Sequence, residues 1–120
     1  MNNEGKRGEK IASSFLTKRG YRIIDRNFRF GRRGEIDIIA TYKKSLIFIE
    51  VKMRNNGKYG DAIYSINKTK IRRIIKTAKY FLVKNRLYNE IDVRFDVITI
   101  DYKNGQEQVK HIINAFKGAI

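Results

Sequence analysis

Two short apolar segments that carry carboxylates do most to constrain the fold of this chain: GEIDIIA at 34–40 and IFIEVK at 47–52. Each reads as a strand, and the short connection between them predicts an antiparallel hairpin. A charged carboxylate among apolar neighbours is costly to bury unless a cation or a hydrogen-bond network compensates it. The two segments therefore predict a functional site at the carboxylates as well as a pair of strands.

The register of the hairpin decides whether its charged side chains meet. A hairpin symmetric about Lys43-Lys44 places Asp37 opposite Glu50, whether the connection is a tight turn or a slightly longer loop. Directly opposed Cβ atoms lie about 4.5 to 5.5 Å apart, so both carboxylates can bind one cation. Lys52 follows Glu50 on the same face of its strand. The sequence thus predicts one cluster of two carboxylates and a lysine.

The chemistry of this cluster predicts a metal site. Carboxylate oxygens select hard cations, and magnesium is usually held by one or two carboxylates with phosphate and water, so we expect Mg²⁺ or Mn²⁺ on Asp37 and Glu50. Lys52 can position the attacking water or stabilise charge on the phosphate. A surface salt bridge between Glu50 and Lys52 is the alternative, and it is common for so short a motif. The opposed Asp37 favours the metal site.

A third carboxylate, Glu9, lies beside the apolar stripe of a helix predicted over residues 8–19. Two interpretations of this residue are open. Glu9 can hold a metal-bound water, or it can merely favour the positive end of the helix dipole. The sequence alone does not choose between them.

The charge of the chain predicts a polyanionic partner. There are 27 Lys and Arg against 12 Asp and Glu, a formal net charge of +15, and the stretch 62–89 contains no acidic residue. Nucleic acid, and DNA in particular, is favoured over a membrane, since no apolar run approaches the length of a membrane span and no secretory signal is recognisable. The predicted nucleic-acid-binding residues form the basic face of the second helix: Lys68, Lys70, Arg72, Arg73, Lys76 and Lys79.

The periodicity of the chain predicts one α/β domain over residues 1–120, a small mixed β-sheet flanked by helices in the order αβββαβα. The predicted helices are 8–19, 67–86 and a short last helix at 108–117, and the predicted strands are 21–30, 35–42, 46–53 and 92–101. Residues 1–7 are expected to be flexible. A loop at 55–60 is placed to close over a substrate, with Tyr59 as the residue to stack on a base. The absence of cysteine suits a reducing cytoplasm.

Two further polar residues stay outside the predicted site. His111, the only histidine, is expected on the apolar side of the last helix, in packing or at the surface. Asp96 is expected at a sheet edge or an interface. Neither residue is assigned a role in catalysis.

A helix with Glu9, then GEIDIIA, then IFIEVK resembles the PD-(D/E)xK nuclease superfamily, whose fold is restriction-endonuclease-like. More closely, the chain resembles the YraN-type family of bacterial proteins, which is related to archaeal Holliday junction resolvases. The segments that carry this resemblance span nearly the whole chain: GKRGEKIASSFLTKRGYRIIDRNFR, GEIDIIA, IFIEVKMR, KYGDAI, RFDVI and HIINAF. So long a match is specific, whereas the Asp and ExK residues alone would be a weak signal.

The resemblance implies roles for individual residues: metal ligands Asp37 and Glu50, catalytic Lys52, and helix carboxylate Glu9. The proline of the superfamily's name is absent, with Ile36 before Asp37. Lys70 matches a recurring lysine of the second helix. It can reach the site, although a phosphate contact or a solvated lysine is the favoured interpretation.

Three functions fit these features. The first is a metal-dependent endonuclease that hydrolyses phosphodiester bonds in DNA; branched DNA is favoured over a base sequence as its target, because no base-reading module is recognisable. The second is a non-catalytic nucleic-acid-binding module on a nuclease-like fold. The third is an assembly partner whose basic face meets an acidic protein. A homodimer is expected by analogy with the related resolvases.

Overall fold

The computed structural model of the chain describes residues 3–54 and 66–118. Its elements, in chain order, are α1 (Asn3–Lys18), β1 (Arg22–Arg29), β2 (Glu35–Tyr42), β3 (Ser45–Arg54), α2 (Lys68–Lys84), β4 (Asp92–Lys103) and β5 (Gln106–Ile112). This is the α/β domain with a small mixed sheet that the sequence predicts, and it is compatible with a nuclease-like fold. Neither described helix combines the length and the apolar character that a membrane crossing requires.

All five strands form one sheet in the order β1-β2-β3-β4-β5. Neighbouring strands run antiparallel except β3 and β4, which pair in parallel. A parallel pair needs a crossover connection, and α2 lies in that connection. The two helices cover opposite faces of the sheet, because alternate residues of β3 enter different apolar clusters: Ile47 and Ile49 pack with α1, and Leu46 and Phe48 pack with α2.

The β2–β3 hairpin has the predicted register. Tyr42 pairs with Ser45 across a two-residue turn that begins at Lys43, and the pairing continues to Ile38 with Ile49. Lys43 adopts a φ of 54°, a left-handed conformation that glycine or asparagine usually supplies in tight hairpins. The apolar pattern of the two strands therefore sets this register, and the turn residue adapts to it.

The last predicted helix, 108–117, is wrong. Gln106–Ile112 form the strand β5, antiparallel to β4, so the element order is αβββαββ rather than αβββαβα. The Asn104-Gly105 turn explains the difference, because both residues adopt positive φ (51° and 74°), the backbone of a tight hairpin turn. The short apolar pattern that follows fits either a strand or a helix, and the turn decides between them.

The other predicted elements are confirmed, with ends that shift by a few residues. The largest shift is in α1, which begins at Asn3, inside the segment expected to be flexible. Helix α2 begins one residue later than predicted, because Asn67 is its N-cap and accepts a hydrogen bond from the N–H of Lys70 at 2.8 Å. The predicted loop at 55–60, including Tyr59, lies outside the described residues.

A buried charged network occupies β4 and β5 on the α1 side of the sheet. Asp96 is fully buried and accepts hydrogen bonds from Nε and Nη2 of Arg94, at 2.9 and 2.8 Å, and from the N–H of Asn114 at 3.0 Å. His111 Nε2 lies 2.7 Å from the same carboxylate, and Arg94 also donates to the hydroxyl of Tyr21. Burial would raise the pKa of Asp96, but hydrogen bonds from His111 and Arg94 outweigh it and hold the pKa below its usual range. The edge position expected for Asp96 and the helical position expected for His111 are both wrong.

The close approach of β2 to α2 depends on Gly34. A Cβ at this position would lie 2.8 Å from the carbonyl oxygen of Arg73 and would overlap the hydroxyl of Thr77. That hydroxyl is itself held, since it donates to the Arg73 carbonyl at 2.7 Å. The start of β2 therefore touches the backbone of α2 with no side chain between them.

Replacement of Asp96 should be among the most destabilising changes in the fold. We expect Asp96→Ala to lower the free energy of unfolding by about 3–5 kcal/mol at pH 7, because it leaves the guanidinium of Arg94 without its partner. This stabilisation is present above the unfolded pKa of about 4 and is lost as the pH falls through the lower folded pKa. Urea denaturation measures the loss. The control is Asp92→Ala, exposed at the start of the same strand; an equal loss there would contradict the network.

Gly34→Ala should lower the free energy of unfolding by about 1–3 kcal/mol, because β2 and α2 must move apart to admit the methyl group. Gly31→Ala in the same turn is the control. No atom lies within 4 Å of a Cβ at Gly31, so only its positive φ of 55° penalises the substitution. Thermal unfolding of both variants gives the comparison, and a smaller loss at Gly34 than at Gly31 would argue against the contact.

Candidate active site

Asp37 lies where the backbone pairing of β2 and β3 stops. The paired residues run as far as Ile38 and Ile49. Beyond them, the N–H of Val51 donates to Asp37 Oδ2 at 2.8 Å. The carboxylate oxygen of Asp37 thus accepts the hydrogen bond that a backbone carbonyl would accept if the pairing of the strands continued. Asp37 and Glu50, the predicted partners, lie one residue beyond the last backbone pair.

Glu50 is a buried carboxylate that meets a cation from α2. Its side chain is 6% exposed, and Lys70 Nζ lies 2.8 Å from its Oε1. Lys70 stands in the first turn of α2, which the Asn67 cap holds in place. Lys70 is therefore not the plain solvated lysine that the sequence favours, because it reaches the site. Its contact with phosphate stays a prediction.

Glu9, Glu35 and Asp37 form an acidic cluster in which one oxygen from each lies within 4.8 Å of the others. Asn27 Nδ2 donates to Glu9 Oε2 at 3.0 Å, and Arg29 pairs with Glu35 at 3.3 Å. Sequence reasoning misses Glu35 as part of the site. The available signal was its position two residues before Asp37, which puts both side chains on one face of β2.

Glu9 comes to this cluster from α1, on the opposite side of the sheet from α2. It lies beyond the first turn of α1, which begins at Asn3. The stabilisation of an acid by the helix dipole falls off within that turn. The helix-dipole interpretation of Glu9 is therefore weakened, and its role in the site stays a prediction.

Burial raises the pKa of Asp37 to about 8, and the charge of Glu50 adds to the increase. The hydrogen bond from Val51 acts in the opposite direction, while Glu9 and Glu35 raise the pKa further. Without a bound metal ion, this carboxyl group is therefore largely protonated at neutral pH. A strongly perturbed acid with like charges around it in a cavity is typical of a functional site.

Two lysines share the site with Glu50. Burial lowers the pKa of Lys52, and its hydrogen bond and charge repulsion with Lys70 lower it further. Burial also opposes the charge of Lys70, but hydrogen bonds with Glu50 and Lys52 outweigh it and raise the pKa of Lys70. Lys70 therefore keeps its proton beside Glu50, while Lys52 releases a proton more readily than an ordinary lysine.

Asp37, Glu50 and Lys70 face an open cavity of about 560 Å³ between β2, β3 and the start of α2, whereas Lys52 and Glu9 are not among the residues that line it. Both signs of charge are present in its lining: Glu35, Asp37, Glu50, Lys70, Arg32 and Arg73. An anionic ligand can enter such a cavity because cations stand beside the carboxylates. The cavity is thus chemically suited to a phosphate near a bound cation.

The basic face of α2 is turned away from the core, as the sequence predicts. The helix buries Ile74, Ala78 and Leu82 against the sheet. On the other side, Lys79 is half-buried, and the exposed residues are Lys68, Arg72, Arg73 and Lys76. Arg73 also lines the cavity, so the basic face begins at its rim.

Comparison with known proteins places the chain among relatives of matching length. The model of the uncharacterised protein family UPF0102 matches residues 8–100. A UPF0102 protein of Pelobacter propionicus is 44% identical over 118 residues, which cover 96% of this chain and 83% of the relative. A UPF0102 protein of Clostridioides difficile is 42% identical over 118 residues, covering 97% of this chain and all of the relative. One from Geobacter metallireducens is 42% identical over 113 residues, covering 94% and 91%.

The buried acid predicts an unusual dependence of stability on pH. Because the folded pKa of Asp37 is about 8 and the unfolded value is about 4, the folded state binds the extra proton between these values. We therefore expect wild type to lose stability relative to Asp37→Asn as the pH rises from about 4 to about 8, by at most about 1.4 kcal/mol per pH unit. The asparagine oxygen can still accept from Val51.

Urea denaturation in chelator at several pH values measures this difference. Asp92→Asn, at an exposed position of β4, is the matched control. A difference between wild type and Asp37→Asn that does not change with pH would contradict the raised pKa.

Proposed function

The chain belongs to the uncharacterised protein family UPF0102, and we propose that it is a metal-dependent nuclease that hydrolyses phosphodiester bonds in DNA. The observation that carries this proposal is the state of Asp37. Burial and the charge of Glu50 raise its pKa to about 8, and two further carboxylates lie within reach. A fold that gains nothing from this arrangement would be destabilised by it, so a ligand that compensates the charge is its simplest explanation.

The donor set fits a hard divalent cation such as Mg²⁺ or Mn²⁺. Every candidate ligand is a carboxylate oxygen, and no cysteine is present in the chain. Asp37 and Glu50 are the proposed ligands, with Glu9 and Glu35 as additional carboxylates beside Asp37. When bound there, the cation would supply Lewis-acid stabilisation of phosphate charge and a lower pKa for bound water.

Three residues of the site have separate proposed roles in the reaction. Lys52 has a lowered pKa, so its amine can take part in proton transfer with the attacking water, or as the ammonium it can stabilise charge on the phosphate. Lys70 holds the carboxylate of Glu50 in one orientation through the 2.8 Å ion pair. Asp37 is held by the N–H of Val51, so it needs no rearrangement to face the cavity.

The basic face of α2 supports DNA as the substrate. Among its exposed cations, Arg73 lines the cavity that holds the carboxylates, and Lys68, Arg72 and Lys76 lie on the same helix. Contacts of this kind position the phosphate backbone and carry no base information. We therefore propose selection by DNA structure, with branched DNA as the first substrate to test, a homodimer as the assembly for a symmetric junction, and the cytoplasm as the compartment.

One observation favours a second candidate, a nucleic-acid-binding module without catalysis. The ammonium of Lys70 already neutralises Glu50 at 2.8 Å, so one proposed ligand has a partner without any metal. In that case the chain binds DNA in a salt-sensitive manner and does not cleave it. Cleavage assays separate the two functions directly.

The test is incubation of the purified protein with linear, single-stranded and four-way-branched DNA, in magnesium, manganese or chelator. We expect cleavage only with metal, and a loss of about 10²-fold or more in Asp37→Asn and Lys52→Met, because each removes a group that acts on the reacting atoms. Gel electrophoresis of end-labelled DNA gives the rates.

The matched control variants make the same change of charge at positions outside the proposed site. Asp92→Asn is exposed on β4, and Lys44→Met is exposed in the β2–β3 turn; both should cleave as wild type does. Cleavage that persists in Asp37→Asn and Lys52→Met would refute the proposed site. Binding of DNA without cleavage in any metal would establish the second candidate instead.

A further inference from the structure

A second cleft adjoins the carboxylate cavity, and its walls come from distant parts of the sequence. It has a volume of about 380 Å³. The turn between β1 and β2 forms one wall and α2 forms the other, and the lining residues are Arg32, Arg33, Thr69, Arg72, Arg73 and Lys76. No acidic side chain is among them. Five cations with one hydroxyl form a lining that attracts an anion and offers it no carboxylate.

Packing between the turn and α2 gives this cleft its shape before any ligand binds. The ring of Phe30, at the end of β1, stacks on Tyr80 of α2 with centroids 4.1 Å apart and planes at 10°. The guanidinium of Arg33 lies 4.7 Å from the centroid of Phe30, and Gly34 rests against the backbone of Arg73. The turn is therefore held against the helix and the guanidinium of Arg33 against Phe30, which lowers the entropy that Arg33 loses when it binds an anion.

The cleft and the cavity form one continuous path. Arg32, Thr69 and Arg73 line both. An anion in the cleft is thus next to the space that Asp37 and Glu50 face. A chain with one negative charge per repeating unit can occupy the two spaces at once, with one unit beside the carboxylates and its neighbour between the arginines.

We propose that this cleft binds the phosphate backbone of a DNA strand, one step along from the phosphate that enters the carboxylate cavity. The inference rests on the proposed nuclease function and extends it, because it adds the β1–β2 turn as a second wall opposite the basic helix. Guanidinium groups suit this ligand, since their planar donors match two oxygens of a phosphate. An acidic protein is the competing occupant.

The test measures DNA binding in chelator, so it does not depend on cleavage. Fluorescence anisotropy of a dye-labelled DNA strand, repeated at several salt concentrations, gives the slope of log K against log[salt]. We expect Arg32→Ala/Arg33→Ala to weaken binding and to reduce the slope by about 0.7–0.9 for each phosphate that the variant no longer neutralises. Arg72→Ala/Lys76→Ala, from the other wall, should give a similar reduction.

The control pair is Lys103→Ala/Lys110→Ala. It removes the same charge from exposed positions on β4 and β5, the two strands farthest from β1 in the sheet. Circular dichroism and thermal unfolding establish that each variant is folded. Equal reductions in the control pair and the cleft pairs would mean that only net charge matters, and would overturn the proposal. Unchanged binding in both cleft pairs would overturn it as well.

Two further results separate this inference from the function it rests on. If polyglutamate displaces the DNA as effectively as unlabelled DNA does, the cleft is a site for acidic protein and the proposal fails. If the cleft variants neutralise fewer phosphates but wild type never cleaves DNA, the cleft is supported and only the nuclease proposal fails. If wild type cleaves DNA and the cleft variants bind and cleave DNA as wild type does, the nuclease proposal is supported and only the cleft proposal fails.

Discussion

The hydrogen bond from the N–H of Val51 to the carboxylate of Asp37 is the contact on which the candidate site depends. It occurs just past the last backbone pair of β2 and β3, so the side chain satisfies a donor that the ladder no longer pairs. The same bond holds the carboxylate in a partly buried position where Glu50, Glu9 and Glu35 all raise its pKa. The point at which β2 and β3 stop pairing is therefore also the point at which the carboxylates of the site come together.

Asp37 and Asp96 have neighbours that give these two aspartates opposite properties. Asp96 is surrounded by Arg94, His111 and a backbone donor, and its pKa is lowered. Asp37 has one backbone donor and several like charges, and its pKa is raised to about 8. The first arrangement is complete without a ligand and serves the fold. The second leaves the ionised carboxylate without a compensating charge, which is the condition under which a cation gains binding energy.

Electrostatic balance in the site comes from α2. Lys70 pairs with Glu50 in the first turn of the helix, and Arg73 lies one turn further at the boundary between the cavity and the basic cleft. The absence of a side chain at Gly34 lets the residue before β2 lie against the backbone of Arg73 in α2. A chain with a net charge of +15 can in this way keep a group of carboxylates together and still attract a polyanion.

Local patterns predicted much of this arrangement. The register of the β2–β3 hairpin follows from its apolar alternation, and the bounds of β2 agree with the prediction. The short segment after Asn104-Gly105 was predicted as a helix, although that dipeptide with its left-handed backbone belongs to a hairpin. The segment is too short for its apolar spacing to distinguish a strand from a helix, so only the turn before it indicates that a strand follows.

The sequence by itself determined which residues share a strand face, that Asp37 and Glu50 stand at corresponding levels of the hairpin, and that the second helix is basic along one side. Only the tertiary structure decided which charged groups come together: Lys70 pairs with Glu50, Glu9 lies beside Asp37, and Arg32 and Arg73 line one cleft. These contacts join elements that are far apart in the chain. They depend on how two helices pack on opposite faces of one sheet. The apolar stripe of each helix indicates which of its sides is buried, but not which strand residues it meets.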